Sequence, residues 1–100
     1  MVMLTLKVRS KLWLYPGPGG WHFITLPSKH AREIKTSLRG MRRGWGSLPV
    51  KATIGKTSWK TSIFPERKSA SYVLPVKAGI RKRENIEAGD TVVLALEVTI

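Results

Sequence analysis

The segment Ser69–Val98 constrains the fold most, because it combines two β-like runs with a helix between them. A short β-rich run, Tyr72–Leu74, stops at Pro75, whose fixed φ and missing N–H suit the first turn of a helix. The pattern predicts a helix over Val76–Arg83 that ends in three cations, where the helix dipole favours positive charge. After a Gly-Asp turn, strict alternation over Thr91–Val98 predicts a strand with one buried face.

Two β-hairpins are predicted earlier in the chain. The first joins Met3–Tyr15 to Trp21–Leu26 through the loop sequence PGPGG. The second joins Leu48–Ile54 to Thr57–Phe64, and Gly55 at the first of two turn positions suits a type II′ turn.

The first hairpin concentrates aromatic side chains on one face. If its loop is symmetric, Trp13 lies opposite Phe23 and Tyr15 lies opposite Trp21. The same face carries three cations: Lys7, Arg9 and Lys11. Cross-strand aromatic pairs stabilise a hairpin by up to about 1 kcal/mol each. The face is either a second small core, a surface covered by a helix, or a platform on which bases stack.

A short amphipathic helix is predicted to begin at Ser28 and to end at Gly40. Its apolar stripe consists of Ala31, Ile34 and Leu38, and its outer face carries Lys29, Arg32 and Lys35. A glycine-broken basic loop with Arg42, Arg43 and Trp45 follows. Basic residues around an aromatic ring suit single-stranded nucleic acid, although Trp45 could equally plug the end of a barrel.

Charge is the strongest compositional signal, with 18 Lys and Arg against 6 Asp and Glu and a net charge of +12. A field of this sign attracts polyanions, such as nucleic acid or an acidic membrane surface. Cysteine is absent, which excludes disulfides and thiolate zinc sites and fits a reducing cytoplasm. No run is long and apolar enough to span a membrane, so we expect one cytoplasmic domain over residues 1–100.

A short repeat indicates two equivalent halves. The segments Phe23–Lys29 and Tyr72–Lys77 each contain a strand, a Leu-Pro pair and a lysine two residues beyond the proline. A short helix is predicted after each copy. Two such strand–helix–strand halves would close one barrel.

The second copy also resembles a known motif. The Leu74-Pro75 pair, a short basic helix and the run IEAGDTV resemble the swapped-hairpin motif of AbrB and MazE transcription factors. In that superfamily two chains form a double-split β-barrel, and basic residues near the strand–helix junctions contact DNA. The spacing from Pro75 to Gly89 is longer here than in that motif.

A second resemblance covers nearly the whole chain. It rests on four ordered segments, LWLYPGPGGWHFITLP, RRGWGSLPVKATIG, TSWKTSIFP and YVLPVKAGIRKRENIEAGDTV. They resemble the family called domain of unknown function nineteen-oh-five, which implies a monomer that plays the part of an AbrB-like dimer. The predicted fold is therefore mainly β: a double-split β-barrel of about six strands in two pseudo-equivalent halves, with two short helices.

Catalysis is not expected. None of the six carboxylates is spaced with His22 or His30 as a ligand set, and there is no Ser-His-Asp order. The PGPGG loop lacks the Lys-Ser/Thr partner of a phosphate-binding P-loop. We therefore expect no enzyme activity, no metal and no cofactor.

The expected function is binding of nucleic acid, specifically double-stranded DNA, by cations that neutralise phosphates with few base contacts. The predicted contacts are Lys29, Arg32, Lys35, Arg42, Arg43, Arg67, Lys68, Arg81, Lys82 and Arg83, with Trp13, Tyr15, Trp21 and Trp45 as aromatic candidates. One alternative is a protein-interaction or antitoxin-like module that uses an exposed aromatic face. The other is a small-ligand site at the barrel mouth, with Trp45 as its lid.

Overall fold

The computed structural model describes residues 3–38 and 46–100, in which six strands and two helices follow one another. They are β1 (Met3–Leu14), β2 (His22–Thr25), α1 (Ser28–Ser37), β3 (Leu48–Ile54), β4 (Thr57–Glu66), β5 (Ser71–Pro75), α2 (Ala78–Glu84) and β6 (Thr91–Thr99). The strands pair antiparallel and close into a barrel in the order β1-β2-β5-β4-β3-β6. The mainly β prediction is confirmed, and two successive ββαβ units make up the two halves.

The aromatic hairpin has the register that a symmetric loop predicts. Trp13 pairs with Phe23, and the amide of Tyr15 donates a hydrogen bond to the carbonyl of Trp21 over 2.8 Å. In the β3–β4 hairpin, Gly55 has a φ of +56°, as the first position of a type II′ turn requires.

Each half is split, because its two hairpin strands pair only near their turn. The β1–β2 ladder covers Leu12–Leu14, and the β4–β5 ladder covers Phe64–Glu66. The rest of β1 pairs with β6, and most of β4 pairs with β3. Two gaps therefore open in the barrel wall, and one helix lies near each gap.

The prolines within the strands lie at the borders of these splits. Pro49, Pro65 and Pro75 each pair with one neighbouring strand, at positions that the ladder to the other neighbour does not reach. A proline has no N–H for a ladder, so it is tolerated where a strand has a partner on one side only. Proline placement therefore matches the ends of the ladders.

The helices leave the barrel from opposite ends. β2 and β5 pair antiparallel, with Ile24 opposite Leu74, so α1 follows one end of this pair and α2 follows the other. Two main-chain bonds extend the pairing outward: Leu26 N–H to the Tyr72 carbonyl and Val76 N–H to the His22 carbonyl, both 2.9 Å. This placement decides which functional side chains share a surface.

The barrel interior is apolar, as strand alternation predicts. On β6 the buried side chains are Val92, Leu94, Leu96 and Val98. The stripe of α1 joins the same core through Ala31, Ile34 and Leu38. His30 is also buried, with its Nδ1 3.5 Å from a carboxylate oxygen of Glu33. In the described residues, no helix is long and apolar enough to cross a membrane.

The second helix begins later than the sequence pattern predicts. Pro75 is not in its first turn but is the last residue of β5, and the helix spans Ala78–Glu84 instead of Val76–Arg83. The reason is the hydrogen bond from Val76 to His22, which continues the strand pairing beyond the proline. Pro75 is therefore the last residue of the β2–β5 ladder, and it does not start the helix.

The end of α2 is fixed against the β3–β4 hairpin. Thr57 Oγ1 donates a hydrogen bond to Glu84 Oε2 over 2.6 Å. Asn85 then ends the helix in the left-handed conformation, with a φ of +52°. Gly55 leaves room for the Glu84 carboxylate, which lies where a Cβ at this glycine would be.

Gly55→Ala should therefore lower the free energy of unfolding by about 1–3 kcal/mol, through an unfavourable φ and a clash with Glu84. Gly79→Ala is the matched control, because an added Cβ within α2 meets no atom within 4 Å. It should raise the free energy by up to about 0.5–1 kcal/mol. Urea denaturation measures both, and equal stability of Gly55→Ala and wild type would contradict this description of the turn.

Burial raises the pKa of the Tyr72 phenol. The folded state keeps this proton at a pH where the unfolded chain has released it. The stabilisation is therefore complete below the ordinary tyrosine pKa of about 10 and is lost as the pH rises above it. Denaturation curves measured from neutral to strongly alkaline pH should show a smaller alkaline loss of stability in Tyr72→Phe than in wild type. An unchanged alkaline loss would be the contrary result.

Candidate nucleic-acid interface

The cations of α1 form one group with the turn between β4 and β5. Three of them are exposed on the helix: Lys29, Arg32 and Lys35. The Lys35 ammonium donates a hydrogen bond to the Ala70 carbonyl over 3.3 Å, which places the helix beside this turn. The turn itself carries the exposed Arg67 and Lys68. The structure thus brings five of the predicted contacts together at one end of the β2–β5 pair.

The cations of α2 form a second group at the other end of that pair. Lys82 and Arg83 are exposed, whereas Arg81 is half-buried. The predicted contacts Arg42, Arg43 and Trp45 lie outside the described residues. The helix cations therefore do not gather at one end of the barrel.

The predicted aromatic face is centred on Phe23. Its ring centroid lies 5.3 Å from that of Trp13, and the Tyr15 ring meets it edge-on at 6.3 Å. The Trp21 ring is nearly parallel to it, at 6.2 Å and 9°. Trp13 is held in place because its Nε1 donates a hydrogen bond to Thr25 Oγ1 over 2.8 Å.

Three of these rings, those of Tyr15, Trp21 and Phe23, line an open groove on the outside of the barrel, which we call the aromatic groove. Its volume is about 510 Å³, and its walls include Tyr15, Trp21, Phe23, Phe64, Val73 and Pro75. Trp21 is 56% exposed, Tyr15 46% and Phe64 44%. The described part of the chain therefore leaves the aromatic face open to solvent, and no described helix covers it.

A row of cations continues along the same face of β1. It consists of Lys7, Arg9 and Lys11, all exposed, and we call it the basic row. Residues on one face of a strand recur about every 6.6 Å, so the row leads directly to Trp13. The cross-strand neighbours on β6 are Ala95, Val93 and Thr91, which are uncharged.

The cations of the basic row have no carboxylate partner within 4.0 Å among the described residues. Neither β1 nor β2 contains an acidic residue. On the neighbouring strand β6, the acidic Glu97 lies opposite Thr5 and Lys51. The charge of the basic row is therefore available to an anionic partner.

A smaller recess, which we call the mouth cavity, opens where β4 and β5 part. It measures about 260 Å³ and lies between Trp59 and Thr61 on β4 and the segment Pro75–Ala78. Trp21 and Pro75 line both this cavity and the aromatic groove, so the two are continuous.

Arg81 lines the mouth cavity and is fixed by two acceptors. Its Nε donates a hydrogen bond to the Val76 carbonyl over 3.2 Å, and its Nη1 lies 3.4 Å from His22 Nε2. His22 Nδ1 lies 2.8 Å from the Gly20 carbonyl, which suits a proton on Nδ1 and leaves Nε2 as the acceptor for Arg81. His22 thus lies at the rim of the barrel and orients an arginine.

Sequence reasoning missed the contribution of β4 to these surfaces. The exposed Phe64 lies beside the aromatic hairpin because β4 and β2 both flank β5, an arrangement that the local sequence does not show. Trp59, also on β4, lies half-buried at the mouth cavity. In the described residues, no group of three or more His, Asp or Glu side chains is placed to hold a metal.

Stability measurements should show different effects for Trp21, an exposed ring of the aromatic groove, and for Phe23, the ring on which the others pack. Trp21→Ala should lower the free energy of unfolding by no more than about 1 kcal/mol, because Trp21 is 56% exposed and loses one stacked pair with Phe23. Phe23→Ala should lower it by at least about 2 kcal/mol, since Phe23 contacts three other rings. Thermal or urea denaturation checks this, and a larger loss in Trp21→Ala than in Phe23→Ala would be the opposite result.

Comparison with protein families agrees with the resemblance seen in the sequence. A family model described as a domain of unknown function (DUF1905) matches residues 9–96. A comparison with curated proteins gives no match. The matched segment runs from β1 into β6, so it includes both halves of the barrel, the aromatic groove and the mouth cavity. The chain therefore belongs to the family of the domain of unknown function DUF1905.

Proposed function

We propose that this protein binds single-stranded nucleic acid, without catalysis, on the outward face of β1 and β2. One observation carries the proposal: a solvent-exposed aromatic groove adjoins a row of cations that has no carboxylate partner in the described residues. Both surfaces lie on the same face of the same hairpin. The net charge of +12 adds a long-range attraction to polyanions.

The two surfaces suit the two parts of a nucleotide chain. Unpaired bases stack on exposed aromatic rings, which contributes about 1–3 kcal/mol per base and tolerates any base sequence. Phosphates lie along the lysine and arginine side chains, and their neutralisation releases counterions. In a duplex the faces of the bases are already stacked, so rings such as Trp21 and Tyr15 favour a single strand over a duplex.

The cations of the two helices are the basis of the function expected from the sequence, duplex DNA binding. They extend from opposite ends of the β2–β5 pair. The basic row is the better arranged set for a single strand, because it adjoins the exposed rings on which the bases would stack. DNA and RNA single strands share the chemistry used here, so both belong in the test.

A matched pair of triple variants tests the proposal. Lys7→Gln/Arg9→Gln/Lys11→Gln removes the basic row, and Lys29→Gln/Arg32→Gln/Lys68→Gln removes the same charge from the α1 end of the barrel. Fluorescence anisotropy with labelled oligothymidine, oligouridine and a DNA duplex, measured across a salt series, gives the dissociation constants. Wild type should prefer the single strands. Loss of the basic row should reduce the salt slope by about 2, because each phosphate contact contributes about 0.7 in a single strand.

The control triple should reduce single-strand affinity much less than loss of the basic row. Trp21→Ala should weaken binding by about tenfold without changing the salt slope. The proposal is wrong if neither single strand binds, if the duplex binds more tightly, or if the control triple loses more affinity than the basic-row triple.

A further inference from the structure

The mouth cavity lies at one end of the aromatic groove and has different chemistry. The groove is walled mainly by rings and apolar side chains, whereas the cavity adds His22, Lys77 and Arg81. The shared residues Trp21, Thr61 and Pro75 form the passage between them. A ligand in the groove can therefore reach a cationic recess without leaving the surface.

The cavity results from an asymmetry between the two halves. Helix α1 lies near its split with a buried stripe that includes Ala31 and Ile34. Helix α2 is shorter and has no fully buried residue, and its Ile80 packs only partly against the core. The second split is therefore left with space for a ligand, and an arginine lines that space.

Arg81 is arranged to receive an anion. Its Nε and Nη1 are oriented by Val76 and His22, and both of these partners are uncharged acceptors. No ion pair of Arg81 or Lys77 occurs within 4.0 Å in the part of the chain that the structure describes. A guanidinium held in this way keeps its remaining N–H donors for a ligand, and its planar fork matches the oxygens of a phosphate.

We propose that the mouth cavity binds the terminal phosphate of a nucleic-acid strand whose first base stacks on Trp21 in the aromatic groove. The inference rests on the proposed function, because it places the end of the same strand. A terminal phosphate has one nucleotide neighbour and carries up to two negative charges. An internal phosphodiester has two neighbours and one charge. A recess of about 260 Å³ beside the groove, with Arg81 and Lys77 in its wall, favours the terminal group.

The experiment compares three oligothymidines of equal length that carry a 5′-phosphate, a 3′-phosphate or hydroxyls at both ends. Equilibrium binding to the full chain should be about tenfold tighter for one of the two phosphorylated strands than for the hydroxyl strand. Which phosphate gives the tighter complex identifies the polarity of the bound strand.

Arg81→Gln should abolish this preference and leave the affinity for the hydroxyl strand within about twofold of wild type. Arg83→Gln is the matched control, because it removes the same charge from an exposed position on the same helix. It should keep the preference. Lys77→Gln, outside the helix, should reduce the preference and serves as a second variant if Arg81→Gln is poorly folded.

Equal binding of all three strands by wild type would overturn the inference while the proposed function stands. An equal loss of preference in Arg81→Gln and Arg83→Gln would also overturn it, because general charge would then explain the effect. If none of the three strands binds, the result would contradict the proposed function itself and this inference with it.

Discussion

The pairing of two short strands, β2 and β5, is the constraint on which the rest of the structure depends. Their ladder joins residues 23–25 to residues 73–75 and ties together segments that are distant in sequence. Because the strands are antiparallel, the helices that follow them emerge at opposite ends. Because the outer partners, β1 and β4, pair with them only near the hairpin turns, a gap opens on each side. The separation of the helix cations and the mouth cavity both follow from this arrangement.

Local sequence predicted much of the fold, since hairpin register depends on neighbouring residues. The pairing of Trp13 with Phe23 followed from the symmetry of one loop, and the buried face of β6 followed from alternation. The start of α2 was predicted wrongly because Pro75 is equally compatible with a helix start and with a strand that has lost one neighbour. Only the pairing of β5 with β2, and the end of its ladder with β4, distinguishes these possibilities.

The candidate site was less predictable than the fold. The aromatic cluster and the basic row belong to one hairpin, so their shared face could be derived from parity. The position of Phe64 in the aromatic groove and the mouth cavity beside Arg81 could not be derived from the sequence. Both require β4 and β5 to be neighbours in the closed barrel. The helix cations were the strongest charge signal in the sequence, yet their relative placement depends on the same long-range pairing. The sequence thus shows which types of side chain the site contains. Which of these side chains lie together can be derived only from the order of strands in the barrel.

The central claim is that nucleic acid contacts the outward face of β1 and β2, and mapping of the contact surface by nuclear magnetic resonance tests it most directly. Titration of the ¹⁵N-labelled protein with oligothymidine should shift the indole N–H signals of Trp13 and Trp21 and the amide signals of β1 around Lys11. The amides of α1 and of the turn carrying Arg67 should remain nearly unchanged. Shifts confined to α1 and that turn, with the two indole signals unmoved, would contradict the claim.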